Sequence, residues 1–142
     1  VHLRRRYRGE TVDLSGSEVL LRLMAARYFF LDLRFEERTV YEEETQRGFL
    51  VALEAVVDMK KWDARVRYGI FDTDTYASRI YAYEIDLPGV VNNRMLYYKG
   101  TYGFAYISVR ALENVKVTAK YSVVNRDAVS DRRIGCQVDL DI

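Results

Sequence analysis

Apolar and polar residues alternate along most of this chain, and the alternation is tied to a five-residue frame that recurs four times. The copies are Leu3-Arg-Arg-Arg-Tyr7, Leu31-Asp-Leu-Arg-Phe35, Ala64-Arg-Val-Arg-Tyr68 and Val117-Thr-Ala-Lys-Tyr121. Each ends in a basic residue followed by an aromatic. Successive side chains of a strand point to opposite faces. Arg6, Arg34, Arg67 and Lys120 therefore share one face. Tyr7, Phe35, Tyr68 and Tyr121 share the other, beside Leu31, Leu33, Ala64, Val66, Val117 and Ala119. Arg5 interrupts the apolar face of the first copy. One apolar and one charged face, repeated strand after strand, is the pattern of a membrane β-barrel wall.

The alternation divides the chain into about eight strands. The first runs from Leu3 to Thr11, and Ser-Gly-Ser within Asp13 to Ser17 marks a turn. Val19 to Ala25 forms the second strand, and Ala26 to Tyr28 a turn into the second frame, which continues towards Tyr41. Ser15 to Arg38 also fits an amphipathic helix through Leu20, Leu23, Met24 and Leu31; the clean alternation at Leu31 to Phe35 favours strand. Glu42 to Gln46 is a polar loop. Gly48 to Met59 is the next strand, and Lys60-Lys61 a tight turn before the third frame. Asp72 to Lys99 reads as one long loop with room for a short strand of its own. Thr101 to Leu112 returns, Glu113-Asn114 turns, and Asn125 to Asp131 is the last loop before Arg133 to Ile142. In the returning strand Tyr102, Phe104 and Tyr106 fall on the charged face, which implies a bulge or aromatics filling the interior.

Short turns thus alternate with longer loops, the rhythm of an up-and-down transmembrane β-barrel. Tyr28, Phe29, Phe30 and Trp62 sit beside short turns, where an aromatic girdle belongs. The expected fold is all-β and antiparallel: such a barrel, or the C-terminal part of one, as a single domain over residues 1–142. A weak first strand and an opening Val1 suggest a fragment of a longer chain, its N-terminal barrel strands lying upstream. The alternative is a soluble β-sandwich or small ligand-binding barrel, with the same alternation turned inside out.

Composition narrows function mostly by exclusion. Lys and Arg number 22 against 21 Asp and Glu, so no bulk charge attracts nucleic acid. Tyrosine, at 12, suits strands and membrane interfaces. No apolar run approaches the roughly 20 residues of a membrane helix. His2 is the only histidine and Cys136 the only cysteine, so no Ser–His–Asp, Cys–His or metal-ligand constellation is legible. Asp72 and Asp74 lack the further spaced acids of a calcium loop. Arg4 to Arg6 with Arg8 read as a charged strand face. The expectation is a protein with no catalytic residues, no cofactor and no metal.

Ile134, Cys136, Val138, Leu140 and Ile142 alternate with Gly135, Gln137, Asp139 and Asp141, and this end resembles the closing strand of bacterial outer-membrane barrels. The family usually ends in an aromatic where this chain has Ile142. The stretch from Phe71 to Glu84, followed by Tyr97-Tyr-Lys-Gly-Thr-Tyr102, resembles the C-terminal barrel region of large bacterial proteins that carry an N-terminal helix-hairpin-helix segment. The resemblance implies an outer-membrane location in a Gram-negative bacterium, with the lipid bilayer and the outer-membrane assembly machinery as partners.

Counting outwards from the turns sets a register. A two-residue turn at Lys60-Lys61 places Glu54 opposite Arg67. A three-residue turn at Ala26 to Tyr28 places Arg22 opposite Asp32. Ion pairs across neighbouring strands should then line the lumen, formed by Arg22, Asp32, Arg34, Glu54, Arg67, Lys120, Asp139 and Asp141. Leu31, Leu33, Ala64, Val66, Val117, Ala119, Val138 and Leu140 should form one outward surface.

Overall fold

The computed structural model describes residues 2–8, 13–41, 44–127 and 129–140, giving the backbone alone for residues 2–8 and 13. Ten strands follow in order: β1 (His2–Arg8), β2 (Asp13–Ala26), β3 (Phe29–Tyr41), β4 (Thr45–Asp58), β5 (Trp62–Thr73), β6 (Ile80–Glu84), β7 (Asn92–Leu96), β8 (Lys99–Leu112), β9 (Val115–Arg126) and β10 (Val129–Leu140). Eight of them form one sheet in the order β1-β2-β3-β4-β5-β8-β9-β10, every pair antiparallel. β6 and β7 form a separate hairpin between β5 and β8. The protein is all-β and antiparallel. Among the described residues β1 and β10 do not pair, so the sheet is open.

The ambiguous stretch Ser15 to Arg38 is strand: β2 and β3 pair from Asp13 opposite Tyr41 down to Ala26 opposite Phe29. The turn there has two residues, Arg27 and Tyr28, rather than three. A bulge between Met24 and Ala26 supplies the residue that a longer turn would have held. Arg22 therefore still faces Asp32. Ser15-Gly16-Ser17 is no turn; it lies within β2 opposite Thr39, Arg38 and Glu37. The final loop shrinks to a tight turn, since Arg126 pairs with Val129. Asp127 makes the turn with φ 43°, a left-handed conformation that Asp tolerates. The excursion after β5 holds two strands, not one.

Alternation assigns the two faces of the sheet. Val40, Leu50, Ala52, Glu54, Val56, Phe71, Tyr102, Phe104, Tyr106, Thr118, Lys120, Ser122 and Val124 are buried on one side. Leu21, Leu23, Leu33, Phe35, Phe49, Leu53, Val66, Tyr68, Ile70, Ile107, Val109, Tyr121, Ile134, Val138 and Leu140 are exposed on the other. No bulge intervenes in β8 between Gly100 and Arg110. Tyr102, Phe104 and Tyr106 are interior filling.

The hairpin lies against the buried side. Ile80, Ala82 and Leu96 join Leu50, Ala52, Phe71, Tyr102 and Val124 in one apolar cluster. Each large side chain so buried contributes about 1.5–3 kcal/mol. Hairpin contacts reach from Arg38 on β3 to Asp131 on β10. Those strands would lie about 24 Å apart in a flat sheet of five 4.8 Å spacings. A two-stranded hairpin bridges them because the sheet curls around it.

Candidate functional site

The site is the interior of this curl, built first from wall residues. Arg22 donates to both carboxylate oxygens of Asp32, at 2.7 and 2.6 Å. Arg34 reaches Glu18 at 3.0 Å and also pairs with Glu36. Arg67 Nε donates to Glu54 at 2.9 Å. Arg34 and Arg67 turn inward because the frame puts a basic residue just before its aromatic.

The hairpin adds the second layer. Arg67 donates to the Tyr83 carbonyl at 2.6 Å and Arg38 to the Arg79 carbonyl at 2.9 Å. Lys120 Nζ lies 3.0 Å from Glu84 and 2.9 Å from Asp86. Arg94 donates to Asp131 and to Ser122 Oγ, both at 2.8 Å. Arg94 Nε also lies 3.7 Å from Glu84. Glu84 is wholly buried, and Arg94 and Lys120 nearly so. Burial would raise the Asp86 carboxyl, but the hydrogen bond and charge of Lys120, the Leu87 N–H and Asn92 hold it below the usual carboxylate range. Unpaired buried charges are costly, and paired ones roughly break even. The cluster therefore fixes where the hairpin sits more than it adds stability.

Two wall glycines admit the segment that runs from β5 through the hairpin. A Cβ on Gly48 would stand 2.4 Å from the Ser78 carbonyl oxygen, and one on Gly135 would stand 2.8 Å from Leu87 Cδ1. Glycine in a strand interior often marks such close approach.

Against the sequence reading, Arg22 with Asp32 and Glu54 with Arg67 hold the expected register. Lys120 takes its acids from the hairpin rather than from a neighbouring wall strand. Asp139 accepts from Gln137 Nε2 at 2.6 Å, and no cation pairs with it among the described residues. Asp141 lies outside the described residues, as do the side chains of His2, Arg4 to Arg6 and Arg8. Tyr28 is exposed at its turn, and Trp62 and Phe29 take outward register positions. Phe30 does not: it occupies the inward position beside Asp32, with the Arg22 guanidinium 5.5 Å from its ring centre. Asp72 faces Lys99 at 3.8 Å while Asp74 accepts from the Arg47 N–H at 2.8 Å, so the two carboxylates serve different partners. Cys136 is exposed on the outward side.

Sequence reasoning missed Glu84, Asp86, Arg94 and Asp131. A signal existed: Ile80-Tyr-Ala-Tyr-Glu84 and Asn92 to Leu96 both alternate, separated by Pro88-Gly89. That is a hairpin pattern in miniature. No family model, curated protein or solved structure matches this chain.

Proposed function

We propose that this chain forms wall of an outer-membrane β-barrel, a pore, receptor or scaffold that works without catalysis or cofactor. One observation carries the reading: long runs of outward positions on β2, β3, β4, β5, β8, β9 and β10 are uncharged. They run through Val19–Leu23, Phe29–Phe35, Phe49–Val57, Trp62–Ile70, Thr101–Val109, Val115–Val123 and Ile134–Leu140. Leu21, Leu23, Leu33, Phe35, Phe49, Leu53, Val66, Tyr68, Ile70, Ile107 and Ile134 among them lie exposed, while Arg34, Glu54, Arg67 and Lys120 turn inward. A protein in water does not leave so broad an apolar face open. A soluble sandwich would turn that face inward.

The dimensions support the same reading. Phe49 to Val57 spans eight residue steps, about 27 Å at 3.4 Å each. At a tilt of about 40° that gives about 21 Å of height, near the apolar band of such barrels. Tyr41 and Phe49 at the loop end, with Tyr28, Phe29 and Trp62 at the short-turn end, provide interfacial aromatics. On this reading the bilayer and the outer-membrane assembly machinery are the partners, and nucleic acid is not. The resemblance to C-terminal barrel regions agrees with it. The test is detergent-phase partitioning with gel mobility before and after boiling. Recovery in the detergent phase with a heat-dependent shift supports a barrel wall; a water-soluble protein with one mobility contradicts it.

A further inference from the structure

At the end of the curl where β3, β5 and β9 finish, arginine and tyrosine form one ladder across the interior. The Arg38 guanidinium lies 5.9 Å from the Tyr81 ring centre, and Arg79 lies 5.5 Å from the same ring and 4.4 Å from that of Tyr76. Tyr76 meets Tyr97 edge-on at 5.3 Å, and Arg126 stands 4.1 Å over Tyr97. Parity with the buried Val40 and Val124 puts Arg38 and Arg126 on the inward side of β3 and β9. The other four residues come from the hairpin and its flanks.

A ring attracts a cation over its face and holds it in place without neutralising it. Neutralising groups are what the ladder lacks. Arg34, Arg67, Arg94 and Lys120 of the same interior each have a carboxylate. None pairs with Arg38, Arg79 or Arg126 among the described residues. Glu36 pairs with Arg34, Asp72 with Lys99, and Asp74 accepts from the Arg47 N–H. The ladder's own hydrogen bonds go to neutral oxygens. Arg38 donates to the Arg79 carbonyl, Arg79 to the Tyr81 hydroxyl and the Tyr76 carbonyl, and Arg126 to the Tyr97 hydroxyl and the Met95 carbonyl. A guanidinium has more N–H donors than these bonds use. Two like charges gathered at one ring repel each other unless an anion joins them.

We propose that the ladder is a binding site for a phosphate-bearing ligand, with Arg38 and Arg79 as the cations that meet the phosphate and Arg126 placed for a second acidic group. The guanidinium fork matches phosphate oxygens two at a time. Adjacent cations suit a phosphate monoester, which carries more than one negative charge at neutral pH. Arginine beside aromatic rings also holds single-stranded nucleic acid, where bases stack on the rings. Here the rings already carry guanidiniums, which leaves N–H groups rather than ring faces on offer. The inference stands apart from the wall reading, since it needs only the curl and the hairpin.

The experiment titrates the full chain in non-ionic detergent with inorganic pyrophosphate, with phosphatidic acid mixed into the micelles, and with a single-stranded oligonucleotide. Saturable one-to-one binding of a phosphate probe is the expected result. Pyrophosphate binding assigns the site to a soluble phosphate compound; binding of phosphatidic acid alone assigns it to a lipid headgroup. The Arg79 guanidinium bonds only within its own segment, so Arg79→Gln leaves the hairpin tied to the wall. It should weaken phosphate binding at least about tenfold. Tyr81→Phe, which frees Arg79 Nε, should weaken it less. Arg47→Gln removes an exposed outward arginine nearby and should leave binding unchanged. No saturable binding of either phosphate probe overturns the proposal. So does equal weakening by Arg79→Gln and Arg47→Gln, or oligonucleotide binding that pyrophosphate does not compete away.

Discussion

Lys120 and Arg22 are both inward cations paired with acids, yet they differ in what they contribute. Arg22 is more than half exposed, so its pair with Asp32 is worth about 0.2–1 kcal/mol. Lys120 is buried and faces Glu84, which is wholly buried. Lys120→Met should destabilise the protein by about 3–5 kcal/mol, because it leaves the buried Glu84 carboxylate with Arg94, 3.7 Å away, as its one remaining cation among the described residues. Replacing Glu84 by Met as well should recover part of that loss. Arg22→Met should cost under about 1 kcal/mol. Urea titration in detergent compares the three; equal losses for Lys120→Met and Arg22→Met would contradict this ranking. Asp86 adds a pH dependence. Its folded pKa lies below the unfolded value of about 3.9, so its stabilising effect is full above that value. It is lost as pH falls through the folded pKa. Proteolysis within residues 85–91 should therefore rise below about pH 4, and Asp86→Asn should show the higher rate already at neutral pH. A rate that rises equally in both proteins would remove Asp86 from the account.

The element that decides the interior is the β6–β7 hairpin, and glycines in the wall make its seat. Gly135→Leu should push Leu87 outward and expose the hairpin tip to protease, with the surrounding sheet retained. Leu87→Ala combined with Gly135→Leu should restore protection, since the collision needs both side chains. If the double variant stays as sensitive as the single one, the seat is misplaced. The same element shows what could be read from the chain. The wall strands β2 to β5 and β8 to β10 were legible because a period-two pattern twelve to fourteen residues long has one reading for its faces. Register was legible wherever a tight turn fixed the count, as at Lys60-Lys61. The hairpin was obscured because its strands have five residues each, and because its charged residues were counted as loop polarity. Lys120 could be assigned to the inward face from its frame, but its partners come from 34 and 36 positions away, and no local pattern encodes that. Phe30 was placed with the girdle by proximity to a turn, whereas its parity with Asp32 puts it inside.

For the whole molecule the outward face is the decisive property. Val66 stands on it near mid-strand, and Arg there should cost about 2–4 kcal/mol in a bilayer. Water-exposed positions would tolerate the same change within about 0.5 kcal/mol. The comparison of folding in lipid and in lipid-free buffer separates the two environments.

Trp62 offers the most direct measurement, because it is the only tryptophan and stands outward at the short-turn end of β5. Its fluorescence can be read in vesicles whose lipids carry bromine at defined depths, with iodide as the aqueous quencher. An outward wall in a bilayer predicts blue-shifted emission, strongest quenching by bromine near the headgroups, and weak quenching by iodide. Emission at the wavelength of water-exposed tryptophan, quenched by iodide and indifferent to brominated lipid at every depth, would contradict a membrane-facing sheet.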